Sequence, residues 1–112
     1  MRRVAADIQE RIGRNEATFR SINEDIERGR DAEDDHTLVG FVCECGSVEC
    51  SRLIELTPAE YELIRSDPCL FAIVDGHEIV EVETVVERHP RYVVVRKLES
   101  SGAVAKETDP RA

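Results

Sequence analysis

Three cysteines lie within eight residues of the chain, at Cys43, Cys45 and Cys50, in the spacing C-x-C-x4-C. Thiolates are preferred zinc ligands, and a closed structural zinc site holds four ligands in a tetrahedron. Gly46 permits a tight backbone reversal that would bring Cys50 back toward the other two. The pattern predicts a compact knuckle that binds one structural Zn²⁺. The alternative is a set of packed or redox-active thiols without an ion.

A fourth ligand has to come from further along the chain. His77 follows Gly76 in a predicted turn, from which an imidazole can reach back toward the knuckle. Cys69 is the other candidate, although a buried structural cysteine in a strand is common. We favour His77 and expect His36 and His89 to be solvated loop residues. The predicted metal ligands are therefore Cys43, Cys45, Cys50 and His77. A fourth position that holds water is the remaining alternative, and it would give the site a catalytic form.

Short elements on both sides of the cysteines are predicted to position them. The strand Leu38–Val42 runs into the cluster, and the strand Ser51–Leu56 leaves it. A helix begins next, because Thr57 can cap it, Pro58 suits the first helical position and Glu60 can complete a capping box.

The second half of the domain is predicted to be a buried strand and a hairpin. The strand Cys69–Val74 ends in the turn that carries His77. A β-hairpin follows, with arms Val82–Arg88 and Tyr92–Leu98 around a turn at residues 89–91. The first arm also fits a helical spacing.

Residues 1–29 are predicted to form one long amphipathic helix, which ends at Gly29. Its apolar residues recur at helical spacing on one narrow stripe, formed by Val4, Ile8, Ile12, Phe19, Ile22 and Ile26. Such a stripe can pack against the protein's own domain, a second copy of the chain or an unknown partner protein.

The predicted organisation is one small domain with polar ends. An acidic linker spans residues 30–37, the zinc-stapled domain spans 38–98, and a Ser-, Gly-, Ala- and charge-rich disordered tail spans 99–112. The predicted fold class is α+β, with a long N-terminal helix and a small, mainly antiparallel sheet with one short helix.

The composition argues against two classes of partner. A net charge of −9 disfavours nucleic-acid binding, which depends on cationic contacts with phosphates. No apolar run is long enough for a transmembrane helix, and no secretory signal is recognised, so we expect a cytoplasmic protein without membrane contact. In that reducing compartment, four cysteines indicate metal or redox chemistry rather than disulfides.

Several short motifs are distributed over roughly residues 10–98. They are Arg14–Arg20, Asn23-Glu24, the segment Phe41-Val-Cys-Glu-Cys-Gly with Cys50, Leu56-Thr57, Glu60-Tyr61, Arg65, Pro68, Gly76-His77-Glu78 and Tyr92–Val95. Together these motifs resemble a group of small uncharacterised actinobacterial proteins. The resemblance implies a zinc site without a known activity. The group's usual pattern has no cysteine at the place of Cys69, which favours His77 as the fourth ligand.

Three functions are compatible with these features. The first is a zinc-binding interaction or regulatory module that uses its N-terminal helix. The second is a thiol redox switch that releases zinc on oxidation, with Cys69 as a resolving thiol. The third, least favoured, is a zinc enzyme that uses Glu44 or Glu78 for acid–base work. No catalytic residue is predicted, because the deaminase and H-E-x-x-H patterns both fail.

Overall fold

Over the part of the chain that the structure describes, the fold consists of two small antiparallel sheets and three helices. The computed structural model describes residues 6–29, 36–45, 50, 52–80 and 82–111, with the side chains of residues 6–13 and 99–101 left out. In chain order the elements are α1 (Ala6–Arg28), β1 (Val39–Val42), β2 (Leu53–Leu56), α2 (Pro58–Arg65), β3 (Leu70–Ile73), β4 (Glu83–Arg88), β5 (Val93–Lys97) and α3 (Glu99–Glu107). This architecture confirms the predicted α+β class and the long N-terminal helix.

The strands divide between the two sheets. β1 pairs with β2, with Phe41 opposite Ile54, and the second sheet has the order β3-β5-β4. Strand β5 lies at its centre and is antiparallel to both neighbours, with a bulge in β4 between Val85 and Glu87. The predicted hairpin is confirmed, and the alternative helical assignment of its first arm is not.

Both faces of the central strand are covered. Tyr92 and Val94 belong to one apolar cluster, in which the rings of Phe41 and Tyr61 stack at 4.6 Å. Val93 and Val95 face a second cluster that contains Cys43 and Cys45. Alternation along β5 therefore places the cysteines against one face of the sheet and the main aliphatic core against the other.

Helix α2 begins as its sequence predicts. Glu60 N–H donates to the Thr57 hydroxyl over 3.1 Å, and the Glu60 carboxylate accepts from Thr57 N–H over 2.8 Å. These reciprocal bonds satisfy two backbone donors that a helix start leaves without partners. The cap fixes where the chain turns after β2.

The tail requires a correction, because the predicted disorder from residue 99 is replaced by α3 through Glu107. Val104 and Ala105 are buried, and α3 packs against α1. A Cβ on Gly102 would lie 3.2 Å from the Lys97 carbonyl oxygen, so glycine permits this close approach. The polar composition of this segment suggested disorder, but the small residues of α3 are sufficient for it to pack as a short helix.

Some predictions fall outside the described residues. These are linker residues 30–35, the reversal at Gly46, Val4, and the side chains of Ile8 and Ile12.

Candidate metal centre

Four potential ligand atoms converge just beyond the ends of β1 and β3. The sulfurs of Cys43, Cys45 and Cys50 and a ring nitrogen of His77 all lie within 4.8 Å of one another. The Nδ1 atom of His77 is 3.7 Å from the Cys43 sulfur and 3.6 Å from the Cys50 sulfur. These are the four residues predicted as ligands, and they form a cluster that could hold a metal ion.

The separations suit a tetrahedral ion. With metal–sulfur bonds of about 2.3 Å and metal–nitrogen bonds of about 2.0 Å, tetrahedral angles place sulfur and nitrogen about 3.5 Å apart. The two distances from His77 Nδ1 agree with that separation. The histidine therefore already lies at a suitable distance from two of the sulfurs, and the whole cluster, with its atoms within 4.8 Å of one another, would contract around an ion.

Backbone hydrogen bonds connect the ligand segment to both sheets. Cys43 N–H donates to the Arg52 carbonyl over 2.9 Å, which continues the pairing of β1 with the β2 side. Glu44 N–H donates to the Ala72 carbonyl of β3, also over 2.9 Å. The segment that carries Cys43 and Cys45 thus lies between the two sheets.

The fourth donor is positioned by a tight turn after β3. His77 N–H donates to the Val74 carbonyl over 3.0 Å. Gly76, within this turn, has φ +90°, a conformation that residues with a side chain rarely adopt. This glycine allows the chain to reverse so that His77 reaches the cysteines.

The surroundings of Cys43 determine whether its sulfur is a thiol or a thiolate. Its pKa is raised by the hydrogen bond with the neighbouring Cys45 side chain and by burial, so the thiol alone holds its proton. Val74 N–H donates to its sulfur over 3.2 Å, a contact that favours the thiolate. A bound cation would supply the positive charge needed to displace the proton, so metal binding at this site would release protons.

Cys69 does not join the cluster. It precedes β3, and its thiol is directed at the Gly102 carbonyl oxygen, 3.8 Å away. The Cys43 sulfur instead contacts the N–H of Val74, beyond the other end of β3. The structure therefore supports Cys69 neither as fourth ligand nor as resolving thiol. His89 lies elsewhere, stacked on Tyr92 with ring centroids 4.5 Å apart.

Glu44 has a different role from the acid–base group considered above. Its fully buried carboxylate accepts hydrogen bonds from Asn23 Nδ2 at 2.9 Å, Tyr61 Oη at 3.0 Å and Ala72 N–H at 3.0 Å. Burial raises its pKa, and these three donors oppose that shift. Both oxygens are engaged in holding α1, α2 and β3 together, which leaves neither for acid–base work at the cluster.

Helix α1 docks on the domain, one of the three alternatives for its stripe, but through an unexpected face. Its buried residues are polar and share one side at helical spacing, namely Glu16, Arg20, Asn23 and Glu24. Ile26 packs at the edge of the core, whereas Ile22 remains 41% exposed. Among the described side chains, the main buried contact of α1 is therefore this polar face, and the apolar stripe contributes Ile26 at the edge of the core.

Specific polar partners explain how this face is buried. Arg20 donates to the carbonyl oxygens of Pro68 at 2.6 Å and Ala105 at 2.7 Å, and its guanidinium lies 4.5 Å from the centre of the Phe71 ring. Glu24 pairs with Arg65 and with Arg111.

A fully buried charge triad lies at the other end of this contact. Lys97 Nζ bonds both Glu16 and Glu83, and all three side chains are inaccessible to solvent. Burial lowers the pKa of Lys97, while two carboxylates on one nitrogen favour its charged form. Burial raises the pKa of Glu83 to about 7, so this carboxyl group binds a proton at higher pH than an exposed glutamate does.

Sequence reasoning did not predict this buried polar face. Polar residues recur at positions 16, 20, 23 and 24, but that recurrence is equally typical of a solvated helix face. The motif segments Arg14–Arg20 and Asn23-Glu24 contain all four residues without indicating that they are buried.

None of the described helices is both long and apolar enough to cross a membrane. Comparison of the chain with protein-family models, curated proteins and solved structures finds no match.

Proposed function

We propose that this chain is a small zinc-binding module in which the ion has a structural role. The observation that carries this proposal is the convergence of four donor atoms from separate parts of the chain. Cys43 and Cys45 follow β1, Cys50 precedes β2, and His77 follows β3. An ion bound by all four would hold the first two strands against the third.

The donor set favours zinc among the common metals. Three thiolates and one imidazole form a Cys₃His set, a usual ligand set for structural zinc. Calcium, magnesium and manganese prefer oxygen ligands. The motif similarity to the actinobacterial group supports the same four ligands, and a reducing cytoplasm would preserve the thiolates.

A structural role is favoured over a catalytic one by the number of ligands and by the burial of two of them. Catalytic zinc sites keep one position for water or substrate, whereas four protein ligands close the coordination sphere. Cys43 and Cys45 are at most 2% exposed, and the Glu44 carboxylate is engaged elsewhere.

We also propose that the module acts through interaction with a partner protein or a second copy of itself. What supports this is α1, which is held on the domain by polar contacts and leaves Ile22 exposed to solvent. A regulatory role would follow if α1 engages its partner from this position.

Native mass spectrometry tests the metal centre directly. The untagged parent should carry one zinc ion per chain, which His77→Ala should lose. Cys69→Ser is the matched control and should retain the ion, because Cys69 lies outside the cluster. A parent protein that binds no zinc would contradict the proposed function.

A further inference from the structure

We propose that metal binding at the cysteine–histidine cluster is coupled to docking of α1, with Asn23 as the connecting residue. Loading the metal would hold α1 on the domain, and removing it would release the helix. This inference rests on the proposed metal centre and adds a conformational response to it.

Asn23 binds the chain immediately before and between two of the candidate ligands. Its Nδ2 donates to the Val42 carbonyl at 2.8 Å and to Glu44 Oε2 at 2.9 Å. Its Oδ1 accepts from Val42 N–H at 2.7 Å. Val42 directly precedes Cys43, and Glu44 lies between Cys43 and Cys45. The hydrogen bonds of Asn23 therefore depend on the position of the segment that carries Cys43 and Cys45.

Glu44 extends the connection into the rest of the domain. The same carboxylate that accepts from Asn23 also accepts from Tyr61 of α2 and from the N–H of Ala72 in β3. If the ligand segment moved, Asn23 of α1 would lose its hydrogen bonds to Val42 and Glu44. The buried carboxylate of Glu44 would then lose its hydrogen-bond donors. A buried carboxylate without these donors is strongly unfavourable.

The polar character of the contact makes release of the helix feasible. Asn23 and its buried neighbours Glu16, Arg20 and Glu24 can be hydrated by water when α1 is undocked. An apolar face would instead lose the favourable free energy of its burial. Docking of α1 thus depends on partner groups held in place, and an ion at the cluster would hold those nearest Asn23.

Thermodynamic linkage gives the coupling a measurable consequence in both directions. If metal binding strengthens docking of α1 by some factor, docking must strengthen metal binding by the same factor. Weakening the contact of α1 should therefore reduce zinc affinity, even for substitutions that touch no ligand.

Hydrogen–deuterium exchange measured by mass spectrometry tests the first direction. In the parent protein, at a temperature at which β3 and β5 stay protected without zinc, zinc should slow exchange in the peptide that covers residues 14–28. In zinc-loaded Asn23→Ala, this peptide should exchange as in the zinc-free parent, while β3 and β5 remain protected. Ser21→Ala is the matched control on the same helix, since Ser21 is exposed, and it should behave like the parent.

Competition with a chromophoric zinc chelator tests the second direction. We expect Asn23→Ala to weaken zinc binding roughly tenfold, within the usual range for coupled sites. Arg111→Ala provides a second, milder test, because Arg111 contacts Glu24 and Glu27 of α1 and Glu62 of α2 but no candidate ligand. Arg111→Ala should also loosen the docking of α1 and lower the affinity for zinc. If Asn23→Ala does not fold, Arg111→Ala alone tests whether docking of α1 affects zinc affinity.

The outcomes separate the two proposals. A parent that binds zinc, with unchanged exchange in residues 14–28, would overturn the coupling and leave the metal centre intact. Unchanged zinc affinity in a variant whose α1 is loosened would overturn it as well. A parent that binds no zinc would overturn both.

Discussion

The cysteine–histidine cluster and the docked face of α1 are both buried and polar, but they are built in opposite ways. Three of the four clustered donors lie within eight residues of one another. In the α1 contact, by contrast, Glu16 and Lys97 are 81 residues apart, and Arg20 bonds a carbonyl 85 residues away. The first arrangement is encoded by a short local pattern, whereas the second exists only after the chain has folded.

The two regions also differ in what would make them stable. A metal ion would contribute binding free energy that only the folded cluster can use, so metal binding acts as folding free energy. The charged groups of the α1 contact compensate mainly for their own loss of hydration. The comparison predicts that the metal-bound cluster adds to the free energy of unfolding. The intact triad adds little, but removing one of its three charged groups lowers the free energy of unfolding.

The largest expected effect comes from breaking the cluster with Cys45→Ser. Loss of one ligand should abolish stoichiometric zinc binding and remove most of the domain's stability, because small zinc domains can unfold without metal. Thermal unfolding followed by circular dichroism measures this loss. Cys69→Ser, at a buried cysteine outside the cluster, is the comparison and should unfold near the parent's temperature. A Cys45→Ser protein that melts like its parent would end the claim of a structural ion.

The next largest effect should come from Lys97→Met in the buried triad. Removing the cation leaves Glu16 and Glu83 buried together, which should cost about 3–5 kcal/mol of the free energy of unfolding. Urea titration measures the loss. Arg28→Ala is the control, since its ion pair with Asp25 is solvent-exposed and should change stability by less than about 0.5 kcal/mol. Equal effects of the two substitutions would show that burial does not distinguish these ion pairs.

A smaller effect should appear in the pH dependence of stability. Burial raises the pKa of Glu83 from 4.5 to about 7, so between these values the folded protein retains a proton that the unfolded chain has released. The free energy of unfolding should therefore fall as pH rises through this window, by on the order of 1–3 kcal/mol. In Glu83→Gln, which resembles the protonated acid, this loss should be absent.

Metal release at low pH requires a control for that measurement, because proton competition for thiolates affects parent and variant alike. The quantity to compare is the difference in the free energy of unfolding between Glu83→Gln and the parent at each pH. Glu55→Gln, at an exposed position of β2, should give a constant difference. A constant difference for Glu83→Gln as well would contradict the assignment of the proton to this site.

Features that depend on neighbouring residues were predictable from the sequence. The capping box of Thr57 and Glu60, the hairpin around residues 89–91 and the turn at Gly76 all follow from local chemistry, and the structure contains each of them. The convergence of His77 with the cysteines followed from assigning a turn after a buried strand.

Features that depend on distant pairing were not predictable. Asn23 and Glu44 carry no local sign that they will bond each other, and a helical row of polar residues is normally solvated. The helix α3 was missed because its contacts use Gly102, Val104 and Ala105, in a segment whose composition is typical of a disordered end. In both cases tertiary contacts, rather than local propensity, decide the structure.

The buried triad also constrains how sequences of this fold can diverge. Losing one charge at position 16, 83 or 97 would cost several kcal/mol, a large share of the roughly 5–15 kcal/mol that stabilises a typical domain. Replacing all three with apolar residues of similar volume could be neutral. Related chains should therefore retain the whole set or lose it together, and single-step intermediates should be rare. Covariation of positions 16, 83 and 97 among related sequences would therefore indicate that α1 docks in the same way in those proteins.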